Sequence, residues 1–375
     1  MSNASNAKRR KNDKKIVALT AAAVFVICFI ASILFILGRT PEDENISKVT
    51  GDPVIEQKEE NQIYNPLTGE SGFSPSAVGK RPIAFMINNA PGARPQWGLC
   101  TPDIVIEGLV EGSASRMMWV YADPETVPEK VGSMRSARHD FLEIAQGLDA
   151  IFVHWGGSTY AYDALESSGY DHLDGIYLGP NYTHRDNTRN VAIEHRGYVI
   201  GSEIRQLIED RGFRTQVKSE AANPFEFSKD GDRTLSGGDC LQVTASFSSY
   251  YSHTFKYDSQ TGLYTNYMGE TPMTQDGGEV MKVKNVVILY TPVRSLGDSL
   301  GCIDMDLTGG TGIYISGGKY ETIRWEKGSD EYAPLKLYSE NGDELVMNAG
   351  KSWIGLIPKV RESRTVIAAN TSDMV

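Results

Sequence analysis

The chain has 375 residues, of which 40% are hydrophobic, and its formal net charge is −11 at pH 7. That length is enough for a large apolar core and for two domains. The acidic balance argues against nucleic acid, and against anionic polymers held by bulk charge, as ligands. It leaves cations and basic or neutral ligands open.

The N-terminal sequence predicts a membrane anchor. A basic tip (1–15) with six Lys or Arg and one Asp precedes the uncharged apolar stretch Ile16–Gly38. A transmembrane helix needs about 20 apolar residues, and no small-residue cleavage site follows this stretch. We expect an uncleaved, single-pass signal anchor at 16–38, with a cleaved signal peptide as the alternative. The basic tip then stays in the cytoplasm, and the remainder, about −16 in charge, lies outside the cell membrane.

Cys28 and the segment after the anchor complete this region. Cys28 follows Ile27 and precedes further apolar residues, whereas a lipoprotein cysteine follows a small residue, so we expect no lipid there. Residues 39–76 are rich in Pro, Glu, Asn, Lys and Ser and poor in aromatic residues. This composition predicts a flexible stalk.

Strand and helix patterns alternate over residues 77–225. Apolar runs predict strands at "PIAFMIN", "DIVIEGLVEG", "SRMMWVYA" and "AIFVHWGGS", and Gly112–Ser113 predicts a hairpin between the second and third. We expect helices at "HDFLEIAQGLD", at "STYAYDALESSG" with Ser158 or Thr159 as its cap, and within "EHRGYVIGSEIRQLIEDRG", which Gly212 ends. The alternation favours a layered, mixed α/β N-terminal domain.

A polar, Gly-rich boundary at 226–238 is followed by mainly strand patterns over 239–360. We expect an antiparallel β-rich C-terminal domain there, either a sandwich or a sheet that extends the first domain, and a frayed tail at 361–375. The predicted fold class is therefore α+β. Three cysteines lie beyond the anchor, an odd number that argues against a disulfide framework and leaves only a Cys240–Cys302 bridge open.

Charged residues between the apolar runs of residues 80–158 make this segment the candidate site. Glu107 and Glu111 lie about 13 Å apart along a strand, too far for a glycosidase pair, so we favour pairing with Arg116 across the hairpin. Arg135 and Arg138 precede a predicted helix, where guanidinium and free N–H groups suit a carboxylate, phosphate or sulfate. The alternative is an internal network in which carboxylates bind both arginines.

His154 ends a predicted buried strand beside a glycine turn. The position suits acid–base chemistry, and it equally suits a histidine that is only hydrogen-bonded in place. The chain has no H-x-x-x-H, H-E-x-x-H, C-x-x-C or nucleophile motif, so we expect neither a metal site nor a cofactor. The remaining candidate ligand-binding residues are polar side chains outside these patterns: Arg94, Arg185, Asp186 and His195.

The motifs "RPIAFMINNAPGARPQWGL", "VGSMRSAR", "DAIFVHWGGS" and "GGTGIYISGGKYETIRWEKG" resemble the bacterial YerB-like family, DUF3048, over about residues 81–359. The resemblance implies an envelope-anchored protein, often described as a lipoprotein, with a mixed α/β domain before a β-rich one and no established activity. Two positions depart from the family pattern. Asn88 replaces the acidic residue of "MIDN", which weakens any mechanism that needs a carboxylate there, and "IEHRG" replaces "APHN" but keeps His195.

The favoured hypothesis is a non-catalytic binding module of the cell envelope, whose polar cleft holds a wall fragment, a peptide or a small anionic ligand. One alternative is a hydrolase or transferase on wall polymers, with Glu107 or Glu111 and His154 as acid and base. The other is a scaffold or regulator that docks envelope proteins through edge strands. Whether the chain is an enzyme stays open. The expected partners are the membrane, through the N-terminal helix, and a wall component or envelope protein.

Overall fold

Residues 62–373 are described by a computed structural model of the chain. The predicted anchor at 16–38 and the larger part of the predicted stalk lie outside the described residues. Within residues 62–373 there is no helix whose length and apolar character would let it cross a membrane.

The described chain contains three α-helices, α1 (His139–Gly147), α2 (Thr159–Ser168) and α3 (Gly201–Asp210), and short 3-10 helices, of which Lys359–Arg364 is the longest. Its strands are, in chain order, β1 (Ile83–Asn88), β2 (Ile104–Leu109), β3 (Ser115–Tyr121), β4 (Val131–Gly132), β5 (Ile151–His154), β6 (His172–Asp174), β7 (His184–Arg185), β8 (Gly197–Val199), β9 (Glu226–Phe227), β10 (Gln242–Ser246), β11 (Ser252–Asp258), β12 (Leu263–Met268), β13 (Thr271–Pro272), β14 (Lys282–Val283), β15 (Asn285–Thr291), β16 (Val293–Ser295), β17 (Ile303–Met305), β18 (Gly309–Ser316), β19 (Lys319–Glu326), β20 (Lys336–Ser339), β21 (Val346–Met347), β22 (Ser352–Pro358) and β23 (Val366–Ala368).

Ten strands form one central sheet in the order β20-β19-β18-β15-β22-β2-β3-β1-β5-β6. β1, β5 and β6 are mutually parallel, as are β2, β22 and β15. β3 is antiparallel to both β1 and β2. These six strands therefore point the same way, and their carboxyl ends meet at one edge. Because β2 and β22 are neighbours, strands from both sides of the predicted domain boundary share this sheet.

Both faces of the central sheet are covered. Successive strand residues point to opposite faces, so Met86 of β1 packs in one core with Phe141 of α1 and with α2. Phe85 packs in the other core with α3 and with Phe255 of a second, six-stranded sheet. That second sheet has the order β13-β12-β11-β10-β23, with β14 on β12. Burial on two faces explains why the central strands β15 and β22 are apolar runs.

The predicted helices and strands of the N-terminal half are confirmed, and the fold class is α+β. Ser158 caps α2 by accepting a hydrogen bond from the Ala161 amide at 3.1 Å, and Gly212 follows α3 with a φ of 65°. The C-terminal half is not purely antiparallel, because β15 and β22 pair in parallel.

Two details of the sequence-based picture are corrected. The tail is not frayed as far as Ala368, because β23 pairs with β10 and its backbone is held by that ladder. The Cys240–Cys302 bridge is not formed, since the described cysteines, Cys100, Cys240 and Cys302, are all free.

Candidate functional site

The carboxyl edge of the central sheet collects the candidate side chains. Asn88, His154 and Asp174 end β1, β5 and β6, and Glu111 follows β2. The segment after β4 crosses this edge: the Arg135 amide donates to the Met86 carbonyl, and the Arg135 carbonyl accepts from the Trp155 amide. In open sheets with parallel strands, ligands bind at this edge. The sheet topology therefore makes the carboxyl edge the candidate functional site.

Three arginines and one carboxylate form what we call the arginine group: Arg116, Arg135, Arg138 and Glu111. Arg138 binds Glu111 through two hydrogen bonds, one of them from Nε to Oε2 at 2.8 Å. Arg116 Nη2 lies 3.5 Å from Glu111 Oε1, and Arg116 Nη1 donates to the Ser136 carbonyl at 2.6 Å. The internal pairing expected for Glu111, Arg116 and Arg138 is therefore present.

The electrostatics of the arginine group leave it electropositive. Burial, together with the charges of Arg138 and Arg135, lowers the pKa of Arg116 to about 9, although Glu111 opposes the shift. Burial raises the pKa of Glu111, but the hydrogen bond from Arg138 and the charge of Arg116 outweigh it, and the pKa is lowered overall. Two of the three guanidinium groups thus share the Glu111 carboxylate, and the third, Arg135, interacts electrostatically with Glu194.

Arg135 differs from its two neighbours. Its side chain is partly exposed, and within residues 62–373 its guanidinium has no hydrogen bond and no ion pair. Its backbone, by contrast, is hydrogen-bonded to the ends of β1 and β5. A free guanidinium on a fixed backbone is a suitable donor for a bound anion.

Glu107 does not belong to the arginine group. Its carboxylate is fully buried on the opposite face of β2, where Oε1 accepts hydrogen bonds from Asn89 (2.8 Å), Ser115 (2.5 Å) and His253 (3.0 Å), and Oε2 accepts from Trp353 (3.1 Å). Burial raises the pKa of Glu107, but the charge of His253 and these hydrogen bonds outweigh it, and the pKa is lowered. Glu107 is thus a sealed structural carboxylate.

His253 was not found by sequence reasoning. It lies on β11 of the second sheet, its Nδ1 is 2.8 Å from Asn266 Oδ1, and its Nε2 faces Glu107. The two ring nitrogens thus face one oxygen on each side, the Asn266 amide and the Glu107 carboxylate. This pair joins the second sheet to the central sheet. The alternation "SHTFKYD" indicates the strand but gives no partner for the histidine.

His154 is also sealed. It is 1% exposed, its Nδ1–H donates to the Gly156 carbonyl at 2.8 Å, and its Nε2 accepts from Nδ1 of His172 at 3.0 Å. Burial lowers the pKa of His154 to about 4, although the charge of Asp174 opposes the shift. The structure therefore places His154 in a hydrogen-bonded histidine pair, away from any open groove.

The other predicted residues bind separate partners. Arg94 donates to the backbone oxygen of Asn89 at 2.6 Å, and burial lowers its pKa. Arg185 lies 4.5 Å from the centre of the Trp155 ring and donates to the Ile193 carbonyl. Asp186 forms an ion pair with Lys130 at 3.0 Å. His195 Nδ1 is hydrogen-bonded to Asn88 Nδ2 at 2.9 Å. Among the candidates, only Glu111, Arg116 and Arg138 are in direct contact, with Arg135 beside them.

The chain belongs to a defined class of protein, the DUF3048 or YerB-like family. Residues 67–214 match the family's "Protein of unknown function (DUF3048) N-terminal domain", and residues 243–354 match its C-terminal domain. The resemblance inferred from the motifs is therefore confirmed.

Two comparisons identify a relative from Bacillus subtilis. The chain is 29% identical over 301 residues to "Putative lipoprotein YerB" of Bacillus subtilis (strain 168). The aligned region covers 79% of this chain and 87% of the relative. The crystal structure of the YerB protein from Bacillus subtilis has a TM-score of 0.71 and 27% identity to this chain, and the match covers 82% of this chain and 100% of that one.

Proposed function

We propose that this chain is a membrane-anchored, extracytoplasmic protein of the bacterial cell envelope that binds an anionic ligand at the arginine group without catalysing a reaction. The observation that carries the proposal is the charge balance there. Arg116 and Arg138 share the carboxylate of Glu111, and within residues 62–373 the Arg135 guanidinium has no hydrogen bond and no ion pair. The arginine group therefore carries more positive than negative charge, although the chain as a whole is acidic.

The proposed ligand class is a wall fragment that carries a carboxylate or phosphate group. A guanidinium fork binds either group through two parallel hydrogen bonds. Arg135 supplies the open fork, while Glu111 holds Arg138 in place beside it. A local cluster of this kind selects a small anion by geometry, which is compatible with an acidic chain that would repel a long polyanion.

The geometry favours binding over the hydrolase alternative. That alternative needs an acid and a base in an open groove with pKa values near neutrality. Glu107 is sealed by His253, and the pKa of Glu111 is lowered by Arg138. His154 is buried against His172. The scaffold alternative stays a prediction.

The membrane location rests on the apolar stretch at 16–38 and on the name of the Bacillus subtilis relative as a lipoprotein. Cell fractionation followed by protease treatment of intact protoplasts tests it. We expect the chain in the membrane fraction, with the part after residue 39 cleaved from outside. Recovery in the soluble fraction, or full protection from the protease, would contradict the proposal.

Ligand binding is tested by isothermal titration calorimetry of the full-length chain with purified muropeptides and, separately, with inorganic phosphate. A hydrogen bond to a charged group contributes about 1.5–3 kcal/mol, so Arg135→Gln should weaken binding about 10- to 100-fold. The matched control is Arg324→Gln, which removes an exposed arginine of β19. Absence of saturable binding, or equal weakening by both substitutions, would contradict the proposal.

A further inference from the structure

A second polar cluster lies where the start of α1 meets β17. His139 and Asp140 are the first residues of α1, and Asp304 is the central residue of β17. One ligating atom from each of the three side chains lies within 4.8 Å of the others. His139 Nε2 is 3.1 Å from Asp304 Oδ1 and 3.7 Å from Asp140 Oδ1. We call these residues the His139 cluster.

Asp140 is buried in this cluster, and only one of its two carboxylate oxygens accepts a hydrogen bond within the described residues. The residue is 2% exposed, and its Oδ1 accepts a hydrogen bond from the Met305 amide at 2.7 Å. Within the described part of the chain, Oδ2 has no hydrogen-bond donor. The cluster thus places two carboxylates beside one imidazole ring.

His139 Nε2 faces the two carboxylates. Its Nδ1 is buried and has no hydrogen-bond partner among residues 62–373, and its ring lies 5.9 Å from the Tyr160 ring between centres. The nearest full positive charge on the cluster is Arg294, whose Nε is 2.6 Å from Asp304 Oδ2. The Arg294 side chain is 77% exposed and so remains largely in solvent.

We propose that the His139 cluster binds a divalent cation of the manganese or zinc class. One imidazole nitrogen and two carboxylate oxygens suit these ions, and three protein ligands leave positions for water. Two ligands that each lie about 2.1 Å from one ion are roughly 3.0–3.4 Å apart, close to the separations of 3.1 and 3.7 Å found here. The ion would lie between His139 Nε2 and the two carboxylates that this nitrogen faces.

One residue of the cluster, Asp304, faces an open cavity. Asp304 and Met305 line an open cavity of about 430 Å³ together with Arg294, and the Asp304 side chain is 22% exposed. Asp304 is the cluster residue that an ion in this cavity meets first, and Arg294, a solvated side chain, binds its Oδ2. Asp304 Oδ1 faces His139 on the inner side.

The inference goes beyond the proposed anion binding and does not rest on it, because the cation is tested without any anionic ligand. It also departs from our sequence-based expectation of no metal site. Metal motifs are recognised by short spacings, whereas Asp304 is 165 residues from His139. Only the packing of β17 against α1 brings the ligands together.

Equilibrium dialysis of the purified full-length chain against Mn²⁺, and separately against Zn²⁺, tests the proposal, with bound metal counted by mass spectrometry. We expect one bound ion per chain in the dialysis against Mn²⁺, where binding to cysteine thiols does not complicate the count. His139→Gln, Asp140→Asn and Asp304→Asn should each weaken binding by more than about 100-fold, since loss of an outer-sphere contact alone costs about 10- to 100-fold.

The matched control is Asp306→Asn, because Asp306 lies two residues after Asp304 but accepts its hydrogen bonds from Thr308. This variant and Arg135→Gln should keep the ion. Circular dichroism checks folding, and the partly exposed Asp304 decides the result if the Asp140 variant does not fold. Absence of a stoichiometric ion on the wild-type chain, an ion retained after Asp304→Asn, or equal loss after Asp306→Asn would overturn the proposal.

Discussion

Replacing Glu107 by Gln tests whether this carboxylate joins the two sheets. In the wild-type chain it accepts hydrogen bonds from Asn89, Ser115, His253 and Trp353, all of them buried. Glutamine has nearly the same size, but it lacks the charge and presents an NH₂ donor in place of one acceptor oxygen. His253 would then face a neutral amide from a site with no access to water.

The expected loss follows from the burial of both partners. Glu107 and His253 are each 0% exposed, and breaking a buried ion pair by changing one partner costs about 3–5 kcal/mol. We expect a cost at the lower end of this range, because the glutamine carbonyl still accepts some of the hydrogen bonds. We therefore expect Glu107→Gln to lower the free energy of unfolding by about 3 kcal/mol at pH 7.

The same pair gives a pH dependence with a defined sign. Because the pKa of Glu107 is lower in the folded chain than in the unfolded chain, its contribution is present above the unfolded pKa of about 4.3 and is lost as the pH falls through the folded value. The Gln variant lacks this acid-sensitive contribution, so the stability difference between the two proteins should narrow in acid.

Urea unfolding of the full-length chain, followed by circular dichroism, measures these differences. Glu344→Gln is the control, because Glu344 pairs with Lys336 at the surface and is 42% exposed; it should change stability by less than about 0.5 kcal/mol. Glu107→Gln and His253→Gln should couple by at least about 1 kcal/mol in a double-mutant cycle. A Glu107 variant as stable as the control would refute the structural role.

Three further measurements test other buried groups. Burial lowers the pKa of His154 to about 4, whereas an unfolded histidine binds its proton near pH 6.5; stability should fall by about 3 kcal/mol between pH 7 and 4, and His154→Gln should flatten that slope in urea titrations. A Cβ at Gly355 would lie 2.3 Å from Cη2 of Trp353, so Gly355→Ala should cost about 1–3 kcal/mol, and an unchanged unfolding midpoint would contradict the packing. Alkylation of the unfolded, unreduced chain should modify every described cysteine, Cys100, Cys240 and Cys302; two protected thiols would instead reveal a bridge.

Local elements were predictable because their signals are local. The apolar run of β1, the capped helix α2 and the hairpin through Gly112 depend on residues a few positions apart, and all three are present. The tail was mispredicted for a related reason. Val366–Ala368 is an apolar run of only three residues in a mostly polar tail, and it becomes a strand only because β10 provides a partner.

The contacts between the charged residues were only partly predictable from the sequence. The charge pattern of residues 80–158 predicted that arginines and glutamates would meet, and Glu111 does bind Arg138. The charge pattern could not show that the Arg135 guanidinium has no ion-pair partner within residues 62–373. It also could not show that Glu107 lies on the opposite face of β2. Those outcomes depend on which strand lies beside β2, and that neighbour, β22, comes from the C-terminal half.

The sequence by itself determined the family, the α+β class and the position of most helices and strands, because periodicity, caps and turns act between near neighbours in the chain. Only the tertiary structure decided which charged groups meet. Glu107 reaches a histidine 146 residues away, and His139 reaches a carboxylate 165 residues away. Side chains so far apart are brought together by strand order and layer packing, which short spacings in a single sequence do not encode.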